Sequence, residues 1–171
     1  MTAPNAPIIV TAMMGDEDFR WADGLRRAHF PPARNLVPAH ITLFHHLPPS
    51  LQPELCERLA QLCAGPPPAA ILAAVLHLGN GVAYRVDSSE LLAMRQNLAK
   101  AFHGLLTPQD ESPPRLHVTI QNKVSAEISR ALYRALQLEF RQRPFAITGL
   151  AAWRYLGGPW EAIRSYRFRG K

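Results

Sequence analysis

The chain repeats itself. Leu72 to Gly81 reads LAAVLHLGNG and Leu150 to Pro159 reads LAAWRYLGGP, identical at five of ten positions with an offset of 78. At an offset of 77, His40-Ile41-Thr42-Leu43 falls on His117-Val118-Thr119-Ile120, and Leu55 and Leu59 fall on Leu132 and Leu136. Apolar alternation and Ala/Leu richness produce look-alikes of this kind. Three matches in register, each on the same kind of predicted element, point instead to a duplicated strand-helix-strand-helix-strand unit. The 171 residues then read as one domain, 1–171, built of two pseudo-symmetric lobes with interleaved strands, each lobe too small to be expected to fold alone.

Local periodicity supports that outline. Pro7–Met14 is a β-branched strand, Glu17–Phe30 carries apolar residues at helical spacing, Leu36–Leu47 is a second strand and Pro53–Ala64 a second helix. Ala70–Leu78 and Val82–Val86 flank Gly79-Asn80-Gly81, a hairpin signal. Asp87 or Ser88 caps a helix running to about His103, and 104–114 is a polar, proline-bearing loop. Arg115–Val124 reads as a strand, Ala126–Arg141 as a helix, and 145–168 as two strands broken by Gly157-Gly158-Pro159.

Apolar residues are 47% of the chain, which supplies a core and excludes wholesale disorder. No apolar run reaches the roughly 18 residues of a membrane span, so a soluble protein without a membrane partner is expected. Ile8–Met14 has no basic residues before it, and Asp16, Glu17 and Asp18 come soon after, which is not a signal-peptide pattern. Cys56 and Cys63 lie seven apart on one predicted helix, about 10 Å along its axis and beyond disulfide reach. Two free thiols suit a reducing cytoplasm. The formal charge of +6 leans towards anionic partners, and a monomer is the default expectation.

The repeated tetrapeptide carries the chemistry. Strand side chains alternate, so His40 and Thr42 share one face while Ile41 and Leu43 point to the core, and His117 and Thr119 repeat this over Val118 and Ile120. Two His-Thr pairs facing each other supply one neutral and one protonated imidazole, able to perform both proton transfers of phosphoester cleavage without a metal. The threonine hydroxyls can hold the non-bridging phosphate oxygens. A lone His between apolar neighbours is ordinarily structural; the repeat is what singles out His40 and His117. Zinc is the competing idea, since His45, His46 and His77 are also available, but no H-E-x-x-H or Cys-x-x-Cys spacing is present and acidic ligands are absent from both motifs.

The paired His-x-Thr-x motifs, 77 residues apart in a duplicated chain, resemble those of the 2H phosphoesterase superfamily, in its 2'-5' RNA ligase or RNA 2',3'-cyclic phosphodiesterase branch. The resemblance spans Ile8 to Phe168. It implies a duplicated bilobal α+β fold, two antiparallel sheets around a central basic cleft with helices outside. It also implies metal-independent cleavage of a 2',3'-cyclic phosphate RNA end, a 2'-5' phosphodiester or a small cyclic nucleotide, with no cofactor. His40, Thr42, His117 and Thr119 inherit the catalytic roles, with His117 favoured as base and His40 as acid. The alternative is an RNA- or nucleotide-binding module on the same fold without turnover.

Strict alternation extends the cleft face to Phe44 on one strand and to Gln121 and Lys123 on the other, as a base-stacking residue and phosphate partners. It places His45 with Ile41 on the core side and His46 with His40. Tyr84, Arg154 and Tyr155 belong to aromatic and basic runs suited to nucleotide binding. Arg164, Arg167, Arg169 and Lys171 are expected to form a solvated edge.

Overall fold

A computed structural model describes residues 4–170; Lys171, one of the expected edge cations, lies outside the described residues. The elements in chain order are β1 (Ile8–Met14), α1 (Asp16–His29), β2 (Ile41–Leu47), α2 (Gln52–Cys63), β3 (Ile71–His77), β4 (Val82–Asp87), α3 (Ser89–Ala101), α4 (Pro108–Glu111), β5 (His117–Gln121), α5 (Ala126–Glu139), β6 (Arg143–Pro144), β7 (Ile147–Tyr155) and β8 (Trp160–Arg167). They form two four-stranded antiparallel sheets, ordered β2-β1-β7-β8 and β5-β4-β3-β6. The first sheet therefore joins the two ends of the chain, because β7 hydrogen-bonds along the whole of β1. Helices cover the sheets, α2 packing on β7 and β8 and α5 on β3 and β4.

Local chemistry explains the boundaries. The Ser88 hydroxyl accepts the Leu91 N–H at 3.1 Å and the Ser125 hydroxyl accepts that of Ile128 at 3.2 Å, so both helices start on a side-chain cap. Helix α1 lacks such a cap and instead places Asp16, Glu17 and Asp18 in its first turn, where the helix dipole favours acid. Gly79 sits at φ +88 in the β3–β4 turn. Close by, a Cβ on Gly81 would overlap the Gln121 carbonyl oxygen, so only glycine lets this turn approach the end of β5.

Both motif strands are shorter than their alternation suggested. β2 begins at Ile41, since Pro38 has no N–H to donate to a ladder. β5 ends at Gln121, two residues before Lys123 turns into the left-handed region at φ 62. The 104–114 loop contains the one-turn helix α4. Both cysteines are free, and Arg164, Arg167 and Arg169 are exposed on or just beyond the edge strand β8. No helix among the described residues is long and apolar enough to cross a membrane.

Strands β2 and β5 are each at the edge of their own sheet, and these two edges meet. That junction is what brings the two repeated tetrapeptides into one place.

Candidate active site

His40, Thr42, His117 and Thr119 all line one cleft of about 420 Å³, together with His45, Arg115 and Trp160. The two imidazoles are held in the same way. His40 Nδ1 lies 2.7 Å from the Pro38 carbonyl oxygen and His117 Nδ1 lies 2.5 Å from that of Arg115, each two residues upstream. A carbonyl can only accept, so each Nδ1 carries hydrogen and each Nε2 keeps the position that exchanges protons. Chain geometry thus fixes both tautomers without a carboxylate.

The strands themselves are clamped from behind by buried arginines. Arg26 of α1 donates from Nη1 to the Thr119 carbonyl at 2.9 Å and from Nε to Asn35 Oδ1 at 2.8 Å, with its guanidinium 4.2 Å from the Phe30 ring. Arg95 of α3 donates from Nε to the Leu43 carbonyl at 3.1 Å and from Nη2 to the Asp110 carbonyl, 4.2 Å from the Phe44 ring. Burial holds both guanidinium groups below the usual arginine range, partly offset by Asp23 and Asp110 respectively. Asp23 also accepts the Ala39 N–H at 3.0 Å, anchoring the residue before His40.

His40 is half-buried against Trp160, ring centroids 4.6 Å apart and planes tilted by 57°. Burial pushes its pKa down to about 4; the Pro38 hydrogen bond opposes this, and the charges of Arg26, His117 and His45 add to it. His40 is therefore neutral at pH 7. Between about pH 6.5 and 4 the unfolded chain binds a proton that the folded one excludes, so this group weakens the fold as pH drops through that window and has no effect above it. Truncating Trp160 to alanine opens this side of the ring to water. The His40 titration midpoint, followed by NMR of the imidazole Cε1–H, is expected to rise from about 4 towards 6.5; an unmoved midpoint would show that Trp160 does not cause the desolvation.

The remaining sequence-derived binding residues are not in this cleft. Phe44 is fully buried beneath Arg95. Gln121 is buried, with Oε1 lacking a partner, and Lys123 is exposed past the strand end. Tyr84 points inward with Val118, its strand partner, and packs edge-on against Trp21 at 4.8 Å. Arg154 is paired with Glu161 at 3.1 Å and donates to Gln52 Oε1 at 2.7 Å, while Tyr155 is exposed on the far end of β7.

One irregularity explains the first two departures. Val10 opposes Phe44 but Thr11 opposes Thr42, leaving Leu43 as an extra residue. Likewise Val82 opposes Gln121 and Ala83 opposes Thr119, leaving Ile120 extra. Each motif strand thus carries a bulge one residue past its threonine, and the period of two fails there. A second shift between Ile8/Leu47 and Val10/Phe44 turns His45 and His46 outward. His45 consequently lines the cleft, contrary to alternation.

Sequence reasoning also missed Asp110, which is 1% exposed inside a segment read as a polar loop. Its Oδ1 accepts the His45 N–H at 2.8 Å and lies 3.3 Å from His45 Nδ1, and its Oδ2 accepts the His46 N–H at 2.8 Å. Burial alone would raise the Asp110 pKa, but these hydrogen bonds and the His45 charge hold it below the usual carboxylate value. Arg115 and Trp160 gave no motif signal either. Among the described residues, no three His, Cys, Asp or Glu side chains converge in an arrangement that could hold a metal ion.

Comparison with known proteins agrees with this geometry. The family model of the 2'-5' RNA ligase superfamily matches residues 15–159, a span that contains both motifs and both buried arginines. The chain belongs to that superfamily. That superfamily is the 2H phosphoesterase group the paired motifs resemble. The fold is shared with TT0787 of Thermus thermophilus (TM-score 0.65, 15% identity, covering 96% of this chain and 99% of that one). It is also shared with E. coli LigT complexed with NADP+ (TM-score 0.59, 14% identity, 96% and 98%) and with 3'-AMP (TM-score 0.55, 15% identity, 96% and 98%). No curated protein matches the sequence.

Proposed function

We propose that this cleft hydrolyses 2',3'-cyclic phosphate ends of RNA or a related small cyclic nucleotide, without a metal. The observation that carries this reading is the pair of imidazoles, each donating its Nδ1–H to the carbonyl two residues upstream, sharing one cleft with two threonines. E. coli LigT, of the same fold, is crystallised with 3'-AMP, a nucleotide whose phosphate sits where cleavage of such a ring would leave it.

The environment of His40 favours the reverse of the assignment expected from sequence. Neutral at pH 7, His40 presents an Nε2 lone pair and acts as base; the acid role then falls to His117. His40 takes a proton from water as its oxygen bonds to phosphorus, the phosphorus bond to one ribose oxygen breaks, and His117 Nε2–H protonates that leaving oxygen. The product is a phosphomonoester with a free hydroxyl, and the two imidazoles have exchanged protonation states until solvent resets them. Thr42 and Thr119 donate to the non-bridging oxygens as negative charge builds there. Arg95 and Arg115 line the cleft and Arg26 lies behind Thr119, cations that favour an anionic substrate there.

The test is a panel of nucleoside 2',3'-cyclic phosphates and 2'-5' dinucleotides assayed with excess EDTA. Turnover of the cyclic phosphates is expected to be undiminished by chelation. A loss restored by added divalent metal would overturn the metal-free mechanism, and binding without turnover of any member would assign the chain to nucleotide binding.

A further inference from the structure

The cleft holds a third histidine that the paired motifs do not use. His45 is turned into it by the bulge at the end of β2, and the buried Asp110 carboxylate holds its Nδ1 side and its backbone N–H. With Nδ1–H directed at Asp110, the Nε2 edge is left for a ligand, and the side chain is 43% exposed. Both Asp110 oxygens are engaged, Oδ1 by the His45 N–H and ring and Oδ2 by the His46 N–H, so the carboxylate fixes the imidazole from behind. The 109–115 segment that contributes Asp110 also brings Arg115 into the lining of the same cleft. Arg115 is exposed, and its side chain makes no hydrogen bond or ion pair among the described residues. The cleft lining therefore carries, besides His40 and His117, a carboxylate-backed imidazole and an unengaged guanidinium, with Arg95 against the Asp110 carbonyl.

His45 is not at the reacting position. His45 lies three residues beyond Thr42, which at strand rise is on the order of 10 Å along β2, shortened by the bulge. That is about the reach of one nucleotide from a phosphate held between His40 and His117.

We propose that His45 and Arg115 form a second anion subsite, which takes the phosphate on O5' of the nucleotide whose 2',3'-cyclic phosphate is being opened. The inference rests on the cyclic phosphodiesterase reading and sharpens its substrate class: nucleotide and oligonucleotide ends are preferred over bare nucleoside cyclic phosphates. Charge-assisted hydrogen bonds and a bidentate guanidinium suit a phosphate oxygen pair.

Three substrates test it: a nucleoside 2',3'-cyclic phosphate, the same compound with a 5'-monophosphate, and a dinucleotide in which that 5'-phosphate is a diester. The wild type is expected to show KM about tenfold lower when O5' carries phosphate, in either form. A benefit confined to the monophosphate would restrict the subsite to free mononucleotides, and one shared by the dinucleotide would extend it to RNA ends. In His45→Gln and Arg115→Gln that preference is expected to fall towards one. Both side chains are at the surface of the cleft, so the variants should fold, as circular dichroism would verify. A wild type without the preference, or variants that retain it, would overturn the proposal. Calorimetric binding of a nucleoside 3'-monophosphate against its 3',5'-bisphosphate measures the same preference without turnover, so failure of hydrolysis and failure of the subsite give different results.

Discussion

His117→Ala and His40→Ala are each expected to lower kcat/KM for a nucleoside 2',3'-cyclic phosphate by about 10²–10⁴, the usual contribution of one placed acid or base. The two losses should not add in the double variant, because a base without its acid, or the reverse, no longer completes the reaction. His117 is half-buried at a strand edge, so its loss should leave the fold intact, and unchanged circular dichroism would make the rate loss a chemical one. A variant of either histidine that keeps full hydrolysis would remove the enzymatic assignment.

The pH profile separates the two imidazoles. If His40 is the base of the free protein, the acid limb of kcat/KM should fall near pH 4, where that ring takes up a proton, well below an unperturbed histidine. An acid limb of kcat/KM near 6.5 would take the base role from His40, whereas a limb near 4 in kcat/KM with one near 6.5 in kcat would show that bound substrate restores the His40 value before chemistry. Measuring kcat as well distinguishes these, since an anionic substrate beside the ring affects only the bound complex.

The parts of this protein that sequence reading recovered are those set by short-range rules. The His-x-Thr pairs share a cleft because a two-residue step keeps both side chains on one face, and the bulges come only after Thr42 and Thr119. The hairpin at Gly79-Asn80-Gly81 and the cap at Ser88 come from equally local chemistry. The departures begin one residue past each threonine. A bulge is invisible in a string of apolar residues, so Leu43 and Ile120 each shifted the face of the residues after them, sending Phe44 and Gln121 to the interior and His45 to the cleft. Asp110, Arg26 and Arg95 were beyond reach for a different reason. Each contacts a strand 52 to 93 residues away through backbone groups, which any residue could offer and which leave no mark on the sequence of the partner.

Asp110→Ala is expected to cost about 3 kcal/mol or more, an effect of the same order as removing one partner from a buried charge pair. Three losses coincide. The part-buried His45 and His46 N–H groups lose their acceptor at a bulge where no ladder bond replaces it, each at a cost of up to about 1–3 kcal/mol. The buried Arg95 guanidinium loses the nearby negative charge that partly offsets its desolvation. For a domain of this size the change corresponds to a fall in Tm of about 10 °C, and urea unfolding would give the free energy directly. Asp110→Asn should lose less, since the amide oxygen still accepts one N–H. The pH dependence identifies the carboxylate as the source. Because its folded pKa is depressed, its contribution is full above the unfolded value near ~3.9 and disappears as pH falls through the folded one. The stability gap between wild type and Asp110→Asn should therefore be constant from pH 7 down to about 5 and narrow at lower pH. A gap that stays constant down to about pH 3 would assign the loss to packing at the end of β2 and leave the charge without a role.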